Sequence, residues 1–208
     1  MKEIENPNCS LCELSTTCNP KAICLKGGGD GIGGLAIFLD APNFVEDRRG
    51  VGVVSEAVEL LKWMLTRMTV PTKAVYVDYV LKCYTKANKN FGKKAHRQQM
   101  IEACSTYRFA TLQRLKPKAI IAMGATACEA FIGSEKVANY EGVAWDAKEP
   151  QVREVCPTVW VTYSPAYALQ DPAESVTIYR TLFASAVQAK LKPTPKPNPK
   201  AGHHDYGF

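Results

Sequence analysis

Four short apolar runs, each followed by a stretch with helical spacing, constrain this chain more than any other feature. They are "LAIFL" (35–39), "AVYVDYVL" (74–81), "KAIIAM" (118–123) and "TVWVTY" (158–163). Runs of this length, rich in β-branched and aromatic residues, read as buried strands. Between them, "SEAVELLKWMLTRM" places Leu60, Leu61, Met64, Leu65 and Met68 on one helical face, with Ser55 as its cap. Further helices are expected over 97–115, from "GATACEAFI", and over 172–191. Strands that alternate with helices require parallel crossovers. The expected fold is therefore α/β, a three-layer sandwich with a central four-stranded parallel sheet flanked by helices.

The chain has 208 residues, 46% of them hydrophobic and 22% charged. That is enough for one well-cored domain, expected over 1–191. No apolar run approaches the roughly 20 residues that cross a bilayer, and "MKEIENPNCSLC" has no signal-peptide core. A soluble cytoplasmic protein with no membrane partner is expected: nucleoid-associated, or in the host cytoplasm if the chain is viral. The end differs from the rest. "KPTPKPNPKAGHHDYGF" alternates proline with polar residues and cannot pack a core. Residues 192–208 are expected to be a disordered Pro/Lys-rich tail, either solubilising or a docking peptide.

The eight cysteines need a role. A reducing cytosol disfavours disulfides, and closely spaced pairs there read as metal ligands. "CSLC" supplies Cys9 and Cys12. Two sets complete a site. Cys18 and Cys24 would give a local zinc site. Cys83 and Cys104 would instead staple the N-terminal arm to the middle of the fold. Those last two bracket most of a basic segment: from Lys82 to Arg97 it holds Lys82, Lys86, Lys89, Lys93, Lys94 and Arg97 and no Asp or Glu. Such a run is either a solvated face or a phosphate-binding surface. The net charge of +6 permits a polyanionic partner without requiring one. The glycine run "GGGDGIGG" reads as a flexible connector or turn-rich loop, since a phosphate cradle needs a strand before it and a helix after it.

Five segments, taken in order, resemble the family-4 type of uracil-DNA glycosylases, the Fe–S branch of that superfamily. They are "CSLCEL", "FLDAPNFVEDRRGVGVVSEAVELL", "YVDYVLKC", "CSTYRFATLQRLKPKAIIAMGATA" and "VTYSPAYAL". Together they span roughly residues 8–190. The resemblance implies a 4Fe–4S cluster on Cys9, Cys12, Cys83 and Cys104, a donor set that suits such a cluster; zinc is the alternative. It implies DNA as partner, with the lysine-rich segment on phosphates and the "SPAY" loop, including Pro165 and Tyr167, near the minor groove.

The same resemblance shows where this chain departs. The family's catalytic acid falls on Asp40, one methylene shorter. Its uracil-stacking aromatic falls on Val53, which has no π-face. Its base-reading asparagine falls on Tyr79, which cannot present a paired donor and acceptor. Its histidine falls on Ser164, a shorter and weaker donor. Flipping and excising a base needs edge readout, stacking and stabilisation of the leaving base. The expectation is a DNA-binding Fe–S protein with a degenerate uracil pocket. It would serve as a replication or repair accessory, in the manner of a phage polymerase-associated protein, with the tail contacting a polymerase or another replisome protein. Two alternatives stand beside it. One is an active glycosylase that excises uracil weakly or takes another modified base, with Asp40 and Ser164 as catalytic residues. The other is a protein-binding inhibitor or decoy.

Overall fold

The computed structural model describes residues 9–10, 12–17, 19, 24–86 and 88–194. Its sheet has the order β2-β1-β3-β5-β4, with β1 Leu35–Leu39, β2 Val75–Tyr79, β3 Ala119–Met123, β4 Ala144–Asp146 and β5 Thr158–Thr162. The four strands expected from the apolar runs are those that pair in parallel. Leu39 stands opposite Tyr79 on one side and Met123 on the other, and Met123 opposite Thr162. The fifth strand corrects the expected count. β4 is short, lies antiparallel at the edge against β5, and is largely exposed, so it lacks the apolar signature of the others.

Alternation along the strands builds two cores. Leu35, Ile37 and Leu39 of β1, with Ala119, Ile121 and Met123 of β3, face α3 (Glu56–Arg67) and α8 (Ser175–Gln188). Ala36 and Phe38, with Ile120 and Ala122, face α4 (Lys94–Leu115) and α5 (Ala125–Ile132). The helical layers thus lie on opposite faces of a sheet whose central strands are buried on both sides, as parallel sheets require. Helix α4 stops where Lys116 turns left-handed (φ 45°) ahead of Pro117, a residue pair that cannot continue a helix.

Two local features differ from the sequence reading. "NFVEDR" begins a short helix, α2 (Phe44–Arg49), closed by a reciprocal cap. The Asn43 side chain accepts from the Glu46 N–H, and the Glu46 carboxylate accepts from the Asn43 N–H. Gly50 ends α2 in a left-handed turn (φ 67°). The glycine run is an ordered strap along the free edge of β2. Gly28 and Val77 exchange both backbone hydrogen bonds at 2.8 Å, and Asp30 and Gly33 donate to the carbonyls of Lys73 and Ala74. An edge strand left bare invites pairing with another chain, and the strap covers it. Glycine is needed because the approach is so close: a Cβ at Gly29 would lie 1.9 Å from the Val75 carbonyl oxygen, at a φ of +89°.

Of the expected tail, residues 195–208 lie outside the described residues. Its first positions are attached, Thr194 N–H donating to the Met68 carbonyl at 3.0 Å. Among the described residues no helix is long and apolar enough to cross a membrane.

Gly29→Ala is expected to destabilise the fold by more than about 1 kcal/mol, measurable as a melting temperature lowered by roughly 2–4 °C per kcal/mol. An unchanged melting curve would show that the strap does not press on β2.

Candidate functional site

In an open parallel sheet, ligands bind beyond the carboxyl ends of the strands, where strand order reverses. Here β1 is followed by β2 on one side and flanked by β3 on the other, so the reversal lies between β1 and β3. A cleft of about 540 Å³ opens there, lined by Asp40, Gly124, Ser164, Tyr163, Tyr167 and the 135–139 segment. Of the four sequence-predicted pocket positions, Asp40, Tyr79 and Ser164 lie at or just beyond strand ends and Val53 in the loop between α2 and α3; only Asp40 and Ser164 line this cleft.

Asp40 leaves the end of β1 and meets the first turn of α5. Its Oδ1 accepts from the Ala127 N–H at 2.8 Å, and the Thr126 N–H also bonds it. The carboxylate thereby caps a helix from a neighbouring strand, where the dipole favours negative charge. Gly124 makes the approach possible, since a Cβ there would stand 2.1 Å from Asp40 Oδ2. Burial outweighs these bonds and pushes the Asp40 acid up to about 6. Ser164 caps α7 (Pro165–Ala168), its Oγ accepting from the Tyr167 N–H at 3.2 Å. That leaves the hydroxyl proton free to donate elsewhere. Pro165 is buried. Tyr167 is exposed and stacks on Tyr163, with ring centroids 5.2 Å apart.

Val53 and Tyr79 form a closed node beside the cleft. The Tyr79 hydroxyl donates to Glu46 Oε1 at 2.5 Å and accepts from the Val53 N–H at 2.7 Å. Glu46 also accepts from the N–H groups of Val54 and Ser55. Tyr79 and Glu46 are each 1% exposed. Val53 adopts a left-handed φ of 57°, costly for a β-branched residue, and its side chain lies over Gly28. Burial, then the Glu46 bond, raises the Tyr79 phenol well above its ordinary range, so it stays a donor. Sequence reading missed Glu46. Its signal was Asn43-x-x-Glu46 followed by Gly50.

The basic segment divides. Lys86, Lys89, Lys93 and Lys94 are exposed. Lys82 is buried and paired with Asp78, itself fully buried, so it does not join a phosphate-binding surface. Arg97 is likewise committed: its Nε donates to Glu129 at 2.6 Å, and Nη2 pairs with Glu135. The segment is anchored to the N-terminal arm by Glu13, which bonds the side chains of Asn88, Asn90 and His96.

The thiols behind that segment converge. Cys12, Cys83 and Cys104 belong to one buried cluster, and Cys9 interacts electrostatically with Cys12 and Cys104. Cys24 joins them. Its Sγ is 3.6 Å from Cys9 Sγ and 3.1 Å from the Tyr107 hydroxyl, and it hydrogen-bonds Cys83. The Cys83 bond, then those of Tyr107 and Cys9 and the charge of Lys82, hold the Cys24 thiol down at about 6 against the opposing effect of burial. Among the described residues, no three His, Cys, Asp or Glu side chains are placed to hold a single metal ion. Cys18, the remaining member of the local zinc set, lies outside the described residues. Cys128 and Cys156 are buried elsewhere.

The raised Asp40 acid has a signed consequence. A proton held more tightly in the folded state stabilises it below the ordinary value of 3.8, and that stability is lost as pH rises through about 6. A displacement of this size corresponds to roughly 3 kcal/mol between the two protonation states. Asp40→Asn is expected to remove this dependence. Relative to the variant, the wild-type chain should lose several degrees of melting temperature between about pH 4 and pH 7; parallel curves would show that Asp40 is not held as described.

Residues 35–189 match the Uracil DNA glycosylase superfamily. The type-4 uracil-DNA glycosylase of Pyrobaculum aerophilum is 29% identical over 172 residues, covering 80% of this chain and 82% of that protein. The type-4 uracil-DNA glycosylase of Archaeoglobus fulgidus is 27% identical over 122 residues, covering 59% and 57%. The match takes in every strand of the sheet and both carboxyl-end positions that line the cleft, and on it this chain belongs to the uracil-DNA glycosylase superfamily.

Proposed function

We propose that this protein is a DNA-binding Fe–S member of the superfamily whose uracil pocket is closed by its own side chains. In this reading it acts in DNA repair or replication, with uracil excision absent or very weak. The observation that carries it is the Tyr79 hydroxyl, bonded on one side to Val53 and on the other to Glu46. At the position that resembles the family's base-reading amide, this side chain has no polar group left to offer a base. Val53 points at the strap rather than presenting a stacking face, and Ser164 replaces an imidazole. Removing one such group typically costs roughly 10²–10³ in rate, and here three change together.

DNA as the ligand is supported by kinship with two type-4 uracil-DNA glycosylases and by the four exposed lysines. These would neutralise phosphates without reading sequence. The donor set at the thiol seat suits an Fe–S cluster: all sulfur, enclosed, and drawn from the N-terminal arm, the segment after β2 and helix α4. Cys9, Cys12, Cys83 and Cys104 would hold it. When bound, such a cluster supplies a covalent staple between these three segments. The protein's own residues then do the positioning, Glu13 tying down the lysine segment from one side and α4 from the other. A cytoplasmic location and a replisome partner reached through the tail, residues 192–208, complete the proposal.

One observation favours a second reading, a glycosylase rebuilt for another base. The cleft is open at the switch point, with a half-buried carboxyl titrating near pH 6 and two stacked tyrosines on its wall. A base held there would find a stacking surface and, above about pH 6, a carboxylate able to take a proton from water.

Excision assays on duplexes carrying uracil, hypoxanthine or xanthine separate the readings. The wild-type chain should leave all three intact, while V53F/Y79N/S164H, which restores three of the four family residues, should gain uracil excision by at least about 10². Abasic product from the wild-type chain, abolished in Asp40→Asn, would instead establish the rebuilt glycosylase. For the DNA surface, replacing Lys89, Lys93 and Lys94 with Ala should weaken duplex binding and reduce the slope of log K against log salt by about 2–3. An unchanged slope removes the segment from the interface.

A further inference from the structure

We infer that Cys24 is a fifth sulfur donor at the cluster seat, sharing one iron corner with Cys9. The inference rests on the Fe–S reading above and extends it to a residue outside the four-cysteine set. A 4Fe–4S cluster takes four cysteine thiolates, one to each iron, and five thiols face this seat. Two sulfurs in contact address the same corner, and Cys9 and Cys24 are in contact at 3.6 Å.

The placement of Cys24 is enforced. Its backbone is left-handed, with φ at 57°, a conformation that side-chain-bearing residues adopt at a cost. The next residue is pinned to the segment that carries Cys83, Leu25 N–H donating to the Lys82 carbonyl at 2.9 Å. Tyr107 stands one helical turn beyond Cys104 on α4, and its hydroxyl reaches Cys24 Sγ at 3.1 Å. A cysteine serving only as a small apolar filler would be surrounded by carbon. Cys24 is half-buried and faced by sulfur and a phenol, and it is absent from the apolar cluster that contains Cys12, Cys83 and Cys104.

Cys24 also bonds Cys83, so either neighbour is a candidate for exchange. The pairing with Cys9 is favoured by the shared exposure of the two sulfurs. Cys83 is 3% exposed and fixed in the core directly after β2, whereas Cys9 and Cys24 are both half-buried and belong to the same N-terminal arm. A shared corner lets the arm stay stapled when either sulfur is lost.

The test uses the full chain, purified without oxygen, with iron and sulfide content and visible absorbance as readouts. Cys9→Ser and Cys24→Ser should each retain about four irons per chain. The double variant, and Cys83→Ser, should lose most of theirs. On the unmodified iron-bearing protein, alkylation followed by peptide mass analysis should label Cys9 and Cys24 each in part, summing to one thiol. Loss of iron in Cys9→Ser alone, or full labelling of Cys24 with Cys9 wholly protected, makes Cys24 a bystander and overturns the inference while leaving the cluster reading intact. Retention of iron in Cys83→Ser overturns the pairing with Cys9. A wild-type chain that holds no iron removes the cluster reading and this inference together.

Discussion

The carboxylate of Glu46 is the constraint on which this site depends. A buried charge is tolerable only when its oxygens are fully bonded. Glu46 meets that condition with four donors: the N–H groups of Asn43, Val54 and Ser55, and the Tyr79 hydroxyl. Three of these are backbone, so the bonds fix the course of residues 43–55 as well as a side chain. The fourth couples that loop to the end of β2. The left-handed backbone at Val53 persists because its N–H is held by the same tyrosine that Glu46 holds. Backbone strain is stored here because a satisfied polar network over-determines the geometry.

That network divides the carboxyl edge of the sheet into two halves. Beyond β2 the space is filled by the Glu46–Tyr79–Val53 node. Beyond β1, β3 and β5 it stays open, with Asp40 and Ser164 on its wall. Asp40 belongs to both worlds. Its bonds to the first turn of α5 are structural, yet burial pushes its acid up to about 6 at the edge of a cleft. A capping carboxylate is rigidly aimed, and rigidity is also what a proton acceptor at a reaction centre needs. Ser164 has the same double character as the cap of α7.

The four parallel strands were legible because each is a short apolar run, β1 and β3 buried throughout and β2 and β5 over most of their length. β4 was not, being short and exposed at an edge. The glycine run read as a connector or a turn-rich loop because composition alone cannot distinguish a glycine used for freedom from one used for close approach; only the nearness of the Val75 carbonyl makes the second plain. The basic segment looked uniform for a related reason. Lys82 has its partner four residues earlier, on a strand that placed Asp78 inside, whereas Arg97 finds Glu129 and Glu135 more than thirty residues later. A list of charges carries no information about which are already neutralised across the fold. Cys24 was legible only as part of a local zinc set with Cys9, Cys12 and Cys18; its approach to Cys83 and to Tyr107 on α4 joins residues far apart in the chain and leaves no mark in the spacing.

The position of the lysines follows from this division of charge. Four like charges on one exposed segment repel one another, and a free loop would spread to relieve that repulsion. Here the spreading is opposed from within. Glu13, the residue next to Cys12, gathers Asn88, Asn90 and His96, and the buried Lys82–Asp78 pair fixes the segment's start. The thiols at both of its ends, Cys83 and Cys104, are drawn into the core. Much of the work of holding the lysines at high local density is therefore done before any polyanion arrives. In the proposed DNA-binding role, binding would cost less ordering entropy than a flexible basic tail requires. Counterion release would supply the attraction, and the thiol-anchored frame would keep the charges in register with one another.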